Sequence, residues 1–358
     1  MESITGKDDF TPTASWANLR LRAELMRRLR DFFDHRGFLA VETPLLSHDT
    51  VVDRHLDPLP VMVFDDPRTP DMGRTMWLQT SPEFGMKRLM AAGAEAIYQV
   101  TRSFRAGERG RLHNVEFTIV EWYRRSDSMQ AGMGLLSELA ESLLDLGPAE
   151  PVSYREAFVQ HVGIDPLTAQ AQALVRAARD RNLSLPESVA ETDRDAWLDL
   201  MLVECVEPHL GCDQPTILYD YPASQAALAL VRDEDPPVAE RFELYVRGVE
   251  LANGYHELTD PEILRSRIAT ANRQRADDDK CSLPETNRLL AAMEHGLPAC
   301  TGVALGFDRL VMVAAGALLT WGNSTGKLPM HSRSRLSNSS ARPALAASTK
   351  IHLALASI

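Results

Sequence analysis

Apolar positions recur at helical spacing over residues 15–36, where Leu25, Leu29, Phe32 and Phe33 fall on one side and Gly37 follows. The spacing predicts a helix, with Arg20, Arg22, Arg27, Arg28 and Arg30 as its solvated face. "FLAVETPLL" reads as a short strand broken by Pro44, residues 47–75 as loop-rich, and "TMWLQT" as a strand. In "TSPEFGMKRLMAAG", hydroxyls at Thr80 and Ser81, Pro82 at the first helical position and Glu83 in the first turn open a second helix, which Gly93 closes. Alternation then takes over. "AIYQVTRSFR" and "EFTIVEWY" form a long hairpin around the loop "AGERGRLHN". Gln99, Thr101, Ser103 and Arg105 share one face of its first strand; Phe117, Ile119, Glu121 and Tyr123 share one face of its second.

Helical spacing returns over 128–145, with Leu136, Leu139 and Leu143 together, and continues to about residue 210 with a Pro/Gly break near 147–151. "TILYDYP" and "AERFELYVRGVELANGY" read as strands, 261–276 and 285–295 as helices, and "GVALGFDRLVMVAAG" as strand, turn and helix. No segment repeats. The strands come in hairpins rather than regular βαβ units, so the expected fold class is α+β, in one domain over residues 1–316. Beyond that point acids vanish and periodicity fades. Residues 317–358 read as a tail foreign to the fold, disordered or produced by a frameshift. Its "GNSTGK" is one residue short of a phosphate loop and continues with Leu328 where Ser or Thr is needed.

Composition narrows the function. An apolar content of 44% and a charged content of 25% are those of a globular protein. No apolar run is long enough for a membrane span, and the polar N-terminus has no secretory h-region, so a cytoplasmic protein is expected. Cys205, Cys212, Cys281 and Cys300 are scattered, which argues against structural zinc and a disulfide framework. Net charge is −12, and residues 310–358 hold five Lys or Arg and no acid, so the rest of the chain carries −17. Wide nucleic-acid contact is disfavoured by that sign, and a basic partner surface is favoured.

Against this acidity, Arg105, Arg109 and Arg111 crowd one loop. Arg105 at a strand end, His113 in the loop and Phe117 on the return strand suit a nucleotide: a guanidinium for one phosphate, an imidazole for another, a ring for the base. An exposed basic hairpin over a buried Phe117 accounts for the same residues. "VELANGYHE" holds Glu250 and Glu257 around Asn253-Gly254, read as a chain reversal; two acids so placed can hold magnesium against phosphates, or be unrelated surface acids. In "GVALGFDRLVM", Gly302 and Gly306 permit close backbone approach, and Arg309 can meet a terminal phosphate or pair with Asp308. Dinucleotide, zinc-protease and serine-hydrolase signatures are absent from the sequence.

Together and in this order, these segments resemble the catalytic core of class II aminoacyl-tRNA synthetases over residues 15 to about 316. "GFLAVETPLL" looks like the first class motif, "FRAGERGRLHNVEFTIVEW" the second and "GVALGFDRL" the third; "TSPEFGMKRL" and "ELANGYHEL" point to the lysine branch. Within that branch the chain is most similar to the free-standing paralogues of lysyl-tRNA synthetase that modify elongation factor P. The first motif arrives by residue 44, leaving no room for the anticodon-binding barrel, and Ala304 stands where the tRNA enzyme typically has glycine.

The resemblance implies an antiparallel sheet flanked by helices, a homodimer built through the first motif, and no stable tRNA contact. It implies ATP and Mg²⁺, and activation of lysine or (R)-β-lysine as an adenylate that passes to a lysine side chain of elongation factor P. Carried over residue by residue, Arg105, His113 and Arg309 would serve catalysis. Arg105, Ala106, Gly107, Asn114, Phe117, Glu250, Leu251, Gly306 and Arg309 would bind ATP. Ser81, Pro82, Glu83, Tyr123, Glu257 and Ala304 would surround the amino acid, and Glu250 and Glu257 would hold the metal. The family's second motif usually has an acid two residues after its arginine; here that position is Gly107, and the acid comes next, at Glu108. A minimal lysyl-tRNA synthetase and a catalytically silent synthetase-like regulator are the competing readings.

Overall fold

The computed structural model of the protein describes residues 12–69, 72–184, 189–285 and 287–316. The first helix, α1 (Trp16–Asp34), begins where the Ser15 side chain accepts from the backbone of Asn18, and Gly37 leaves it with φ +76°. Strands β1 (Leu39–Ala40), β2 (Leu46–Ser47), β3 (Pro60–Val63) and β4 (Arg74–Leu78) precede α2 (Glu83–Ala91). The hairpin follows as β5 (Ala96–Phe104) and β6 (Glu116–Arg125), then α3 (Met129–Leu144), β7 (Glu150–Ser153), α4 (Tyr154–His161), α5 (Ala171–Asp180) and α6 (Arg194–Met201). The last third holds β8 (Thr216–Pro222), β9 (Val231–Arg232), β10 (Val238–Val246), β11 (Val249–His256), α7 (Pro261–Asp277), α8 (Arg288–Gly296), β12 (Cys300–Gly306) and α9 (Phe307–Ala314).

The main sheet runs β1-β5-β6-β12-β11-β10-β8-β7, with β9 on β10, and a small sheet runs β2-β4-β3. Hairpin pairing joins β5 to β6 and β10 to β11; the central pairs are antiparallel, while β1–β5 and β7–β8 at the two ends are parallel. Among the described residues the fold is α+β, a mixed sheet flanked by helices, as expected.

Period-two alternation decides what each face of the centre does. Val120, Trp122, Phe242, Leu244, Val303 and Leu305 point to one side and pack on α1, α3 and α9 in the largest buried apolar cluster. Glu121, Tyr123, Arg241, Glu243, Asn253, Tyr255, Gly302 and Ala304 alternate with them and line a cavity on the other side. Two smaller cores sit beside that cavity, one joining α4, α5 and α6 to β8 and β10, the other joining α2, α7 and α8.

Several sequence expectations are corrected. The loop-rich stretch 47–75 also holds a short strand, β3, which pairs with β4 over Pro60–Val63. The break near 147–151 holds β7, an edge strand that tolerates Pro151 because it pairs only with β8. With α4, α5 and α6 between β7 and its parallel neighbour, this part of the chain is a crossover rather than a hairpin. Asn253-Gly254 does not reverse the chain. Both sit inside β11, and the turn lies at Arg247-Gly248, with φ +53° and +70°. Nor are the α1 arginines all solvated: Arg22 reaches Asp308 at 2.6 Å and Thr118 at 2.7 Å, tying the first helix to α9. The expected tail, 317–358, and its "GNSTGK" lie outside the described residues.

Gly254 is mid-strand because nothing larger fits. A Cβ there would stand 2.5 Å from the Phe242 ring and 2.9 Å from Val303. Gly254→Ala is expected to destabilise the fold by about 1–3 kcal/mol, the usual cost of overpacking a core. Urea unfolding with an unchanged m-value checks this.

Candidate active site

The cavity over the polar face has a volume of about 1410 Å³. A pocket for one drug-sized ligand holds roughly 300–1,000 Å³, so this one has room for two small molecules side by side. Its walls differ in charge.

The cationic wall comes from the β5–β6 hairpin and the start of α9. Arg105 follows β5 directly and is 2% exposed. Its backbone N–H donates to Val115 O at 2.9 Å, which keeps the strand pair closed up to the loop. Its guanidinium lies 5.0 Å from the centre of the Phe117 ring, and Nε approaches Thr80 O at 3.4 Å. Gly107 has φ +78°, a conformation glycine adopts without strain, and the step brings Glu108 within 3.8 Å of Arg105. The acid shifted by one position thus still reaches the arginine, and burial raises its pKa while Arg105 and Arg309 oppose the rise.

Arg309 sits in the first turn of α9. It donates to Glu250 O at 3.0 Å and to Glu250 Oε2 at 3.2 Å. Its other terminal nitrogen lies 2.5 Å from His113 Nε2. Burial, Arg309 and Arg105 together pull the His113 pKa down to about 3, so its imidazole is neutral and accepts from Arg309. Two guanidiniums and a neutral imidazole in one cavity are the equipment of a polyphosphate site. Asp308 does not pair with Arg309; it accepts from Arg22 and from the Thr118 backbone at 2.9 Å.

The anionic wall is built on α2, β6 and the end of β11. Ser81 Oγ accepts from Glu83 N at 3.0 Å, fixing the start of α2, and donates to Glu121 Oε1 at 2.5 Å. Tyr123 OH donates to Glu121 Oε2 at 3.1 Å. Burial and the nearby Glu83 push Glu121 up to about 8, against the hydrogen bonds from Ser81 and Tyr123 and the charge of Lys87. Lys87, one turn after Glu83, pairs with it at short range and with Glu257 Oε2 at 2.5 Å. Both Glu257 oxygens are buried with no hydrogen-bond partner; Oε2 has the Lys87 ion pair, and Oε1 faces the space a side chain at Gly302 would fill. Ala304, in register with Glu121 and Asn253, completes this corner.

A hub supports the wall from β10. Glu243 receives Tyr221 OH at 2.5 Å, Tyr245 OH at 2.6 Å, Asn253 Nδ2 at 3.0 Å and Arg241 at 2.5 Å. Arg241 balances its charge, and three further donors satisfy its oxygens where it is buried.

The structure therefore brings Arg105, His113, Arg309, Glu250, Ser81, Glu83, Tyr123, Glu257 and Ala304 to one cavity. It does not put Pro82, Ala106, Gly107, Asn114, Phe117, Leu251 or Gly306 in the wall. Leu251 belongs to the apolar core with no exposure, Phe117 lies against Arg105, and Gly306 ends β12 as α9 begins. Glu250 and Glu257 share the cavity but not their partners: one stands with Arg309, the other with Lys87. Among the described residues no group of three or more His, Cys, Asp or Glu is arranged around a metal position. Sequence reasoning missed Lys87, Glu121 and Glu243 as site residues. The available signal was an acid interrupting an apolar strand, in "IVEWY" and "RFELY", and a lysine four residues after Glu83 on the same helix face.

Comparison with known proteins agrees with this arrangement. The family described as tRNA synthetases class II (D, K and N) matches residues 9–318. An elongation factor P–(R)-β-lysine ligase of Yersinia enterocolitica is 48% identical over 310 residues, 86% of this chain and 94% of that protein. Proteins of the same name from Salmonella arizonae and Klebsiella pneumoniae are each 47% identical over the same shares.

Proposed function

The chain belongs to the class II tRNA synthetase family, and from that premise we propose that it is an ATP-dependent ligase acting on elongation factor P. It activates (R)-β-lysine or lysine as an adenylate and transfers the acyl group to a lysine side chain of that factor. The relatives named for this reaction support the acceptor. The observation that carries the chemistry is the single cavity in which Arg105, His113 and Arg309 face a pocket of three carboxylates, Glu83, Glu121 and Glu257.

The triphosphate lies along the cationic wall. The substrate's two ammoniums sit among the carboxylates, which turns its own carboxylate towards the α-phosphate. A carboxylate oxygen attacks phosphorus, the bond to the bridging oxygen breaks, and pyrophosphate leaves with the electron pair. Arg105 neutralises the charge spreading over the α-phosphate and Arg309 that on the far phosphate, while neutral His113 orients Arg309. Glu250, beside Arg309, would hold Mg²⁺ against the phosphates, and Glu257, tied to Lys87, would serve the amino acid. When bound, the ion adds charge neutralisation at the phosphates. The incoming lysine amine then attacks the acyl carbon, AMP departs, and the amine proton is lost to solvent. No side chain of the chain is needed as nucleophile. The edge strand β1, with Leu39 65% exposed, supports a homodimer through this end of the sheet.

Incubation of elongation factor P with the protein, ATP and either amino acid, followed by mass spectrometry, tests the acceptor. A single acyl addition on a lysine is expected. Charging of lysine tRNA with no addition to the factor would establish the tRNA enzyme instead.

A pH dependence follows from Glu121. Its carboxyl, pushed up to about 8, is largely protonated in the empty pocket near neutrality, whereas an ammonium needs it ionised. Binding therefore releases a proton, and lysine affinity is expected to rise from pH 6 to 8 by up to about tenfold per unit. Calorimetry in buffers of different ionisation heat checks this; a flat profile with no proton release contradicts it.

A further inference from the structure

Lys87 is a cation behind the amino-acid pocket, apart from the phosphate wall and from Arg241, which pairs with Glu243. It is 2% exposed and sits between two carboxylates on different elements, Glu83 of α2 and Glu257 beyond β11. We propose that Lys87 is a positioning residue: a built-in counter-ion that bridges Glu83 and Glu257 and holds both carboxylates turned so that the pocket accepts an amino acid with two ammoniums. This rests on the reading of the pocket above and deepens it.

Charge counting gives the first argument. Glu83, Glu121 and Glu257 carry three negative charges when ionised, Lys87 returns one, and the remaining two match a diamino acid. Without Lys87 three buried carboxylates would face each other, and such groups take up protons rather than stay charged. Lys87 opposes that uptake at Glu257, whose carboxyl burial still pushes up to about 8.

Geometry gives the second. Lys87 engages one oxygen of each partner, Oε1 of Glu83 and Oε2 of Glu257. Neither oxygen of Glu257 has a hydrogen-bond partner; Oε2 is held by the Lys87 ion pair, and Oε1, also buried, is aimed into the space opened by Gly302. A carboxylate with one oxygen held and the other presented is preorganised for a cation. Glu121 is occupied differently, with both oxygens taken by Ser81 and Tyr123.

The surroundings keep the lysine charged. Burial alone would lower its pKa, but Glu257 and Glu83 outweigh burial and raise it. The other groups near these acids are Glu121, the phenols of Tyr123 and Tyr255, both raised by burial, and the Cys300 thiol, pushed up to about 12 by burial. Arg241, on the same face of the sheet and near Tyr255, has its charge matched by Glu243. A monoamino acid of similar shape leaves one of these acids without an ammonium and so binds more weakly.

Lys87→Met tests this, with lysine binding followed by calorimetry from pH 6 to 9. At pH 7 affinity is expected to fall at least about tenfold, and the midpoint of the affinity–pH curve to move up by about one unit. The loss falls on Kd and KM, with pyrophosphate exchange at saturating lysine kept within about threefold. Lys87→Gln, which keeps a donor for both carboxylates but not the charge, carries the same readout should the methionine variant not fold. Affinity–pH curves parallel to that of the unsubstituted protein would overturn the role, as would failure of the unsubstituted protein to bind lysine. Because the readout is binding, absence of exchange tells against the adenylation reading instead.

Discussion

Arg105→Ala is expected to lower kcat/KM for adenylate formation at least about a thousandfold, roughly 4 kcal/mol of transition-state stabilisation. The side chain is 2% exposed, so its charge acts with little screening. It stands on a strand end held by the Val115 hydrogen bond and over the Phe117 ring, so the guanidinium is in place before the nucleotide arrives. Burial raises the pKa of Glu108 and Arg105 opposes the rise, so removing the arginine raises it further. Arg105→Lys keeps the charge but not the planar fork, and recovers only part of the loss. Single-turnover formation of the adenylate measures both variants. A loss under tenfold in the alanine variant would mean that the α-phosphate lies elsewhere.

The second large effect lies at the other wall. In Gly302→Ala the new methyl carbon would stand 2.1 Å from Glu257 Oε1 and 2.2 Å from Tyr123 Cε1. Neither neighbour can retreat freely: Glu257 is paired to Lys87, and Tyr123 donates to Glu121. Lysine affinity is expected to fall at least about a hundredfold, since the methyl occupies the space in front of the open carboxylate oxygen. ATP affinity holds within about threefold, because Arg105 and Arg309 are on other elements. Calorimetry with each ligand separates the two. Equal loss of both would indicate a damaged fold rather than a blocked pocket.

Much of the fold was legible in the chain because its signals are local. The α1 spacing and Gly37, the hydroxyl-proline-acid start of α2, and the alternation on both sides of the basic loop each depend on a few neighbouring residues. What was not legible depends on distant ones. Pro151 reads as a breaker until β7 is known to be an edge. Asn253-Gly254 reads as a turn until Phe242 is found against the glycine and Glu243 against the asparagine. Arg22 reads as solvated until Asp308, from the other end of the chain, lies beside it.

The site divides in the same way. Arg105, His113 and Arg309 could be picked out because loop position and residue type already suit a phosphate. Lys87 could not, because its meaning comes from Glu257, a residue far along the chain that folds back over α2. The paired role given to Glu250 and Glu257 was drawn from their nearness in sequence. In the fold they take separate partners along one cavity, which suggests a division between nucleotide and amino acid.

The most direct measurement of the central claim is exchange of labelled pyrophosphate into ATP. The account predicts exchange that depends on lysine or (R)-β-lysine, needs no tRNA and no elongation factor P, and is lost in Arg105→Ala. Exchange in the absence of a diamino acid, or none with either one, would contradict it.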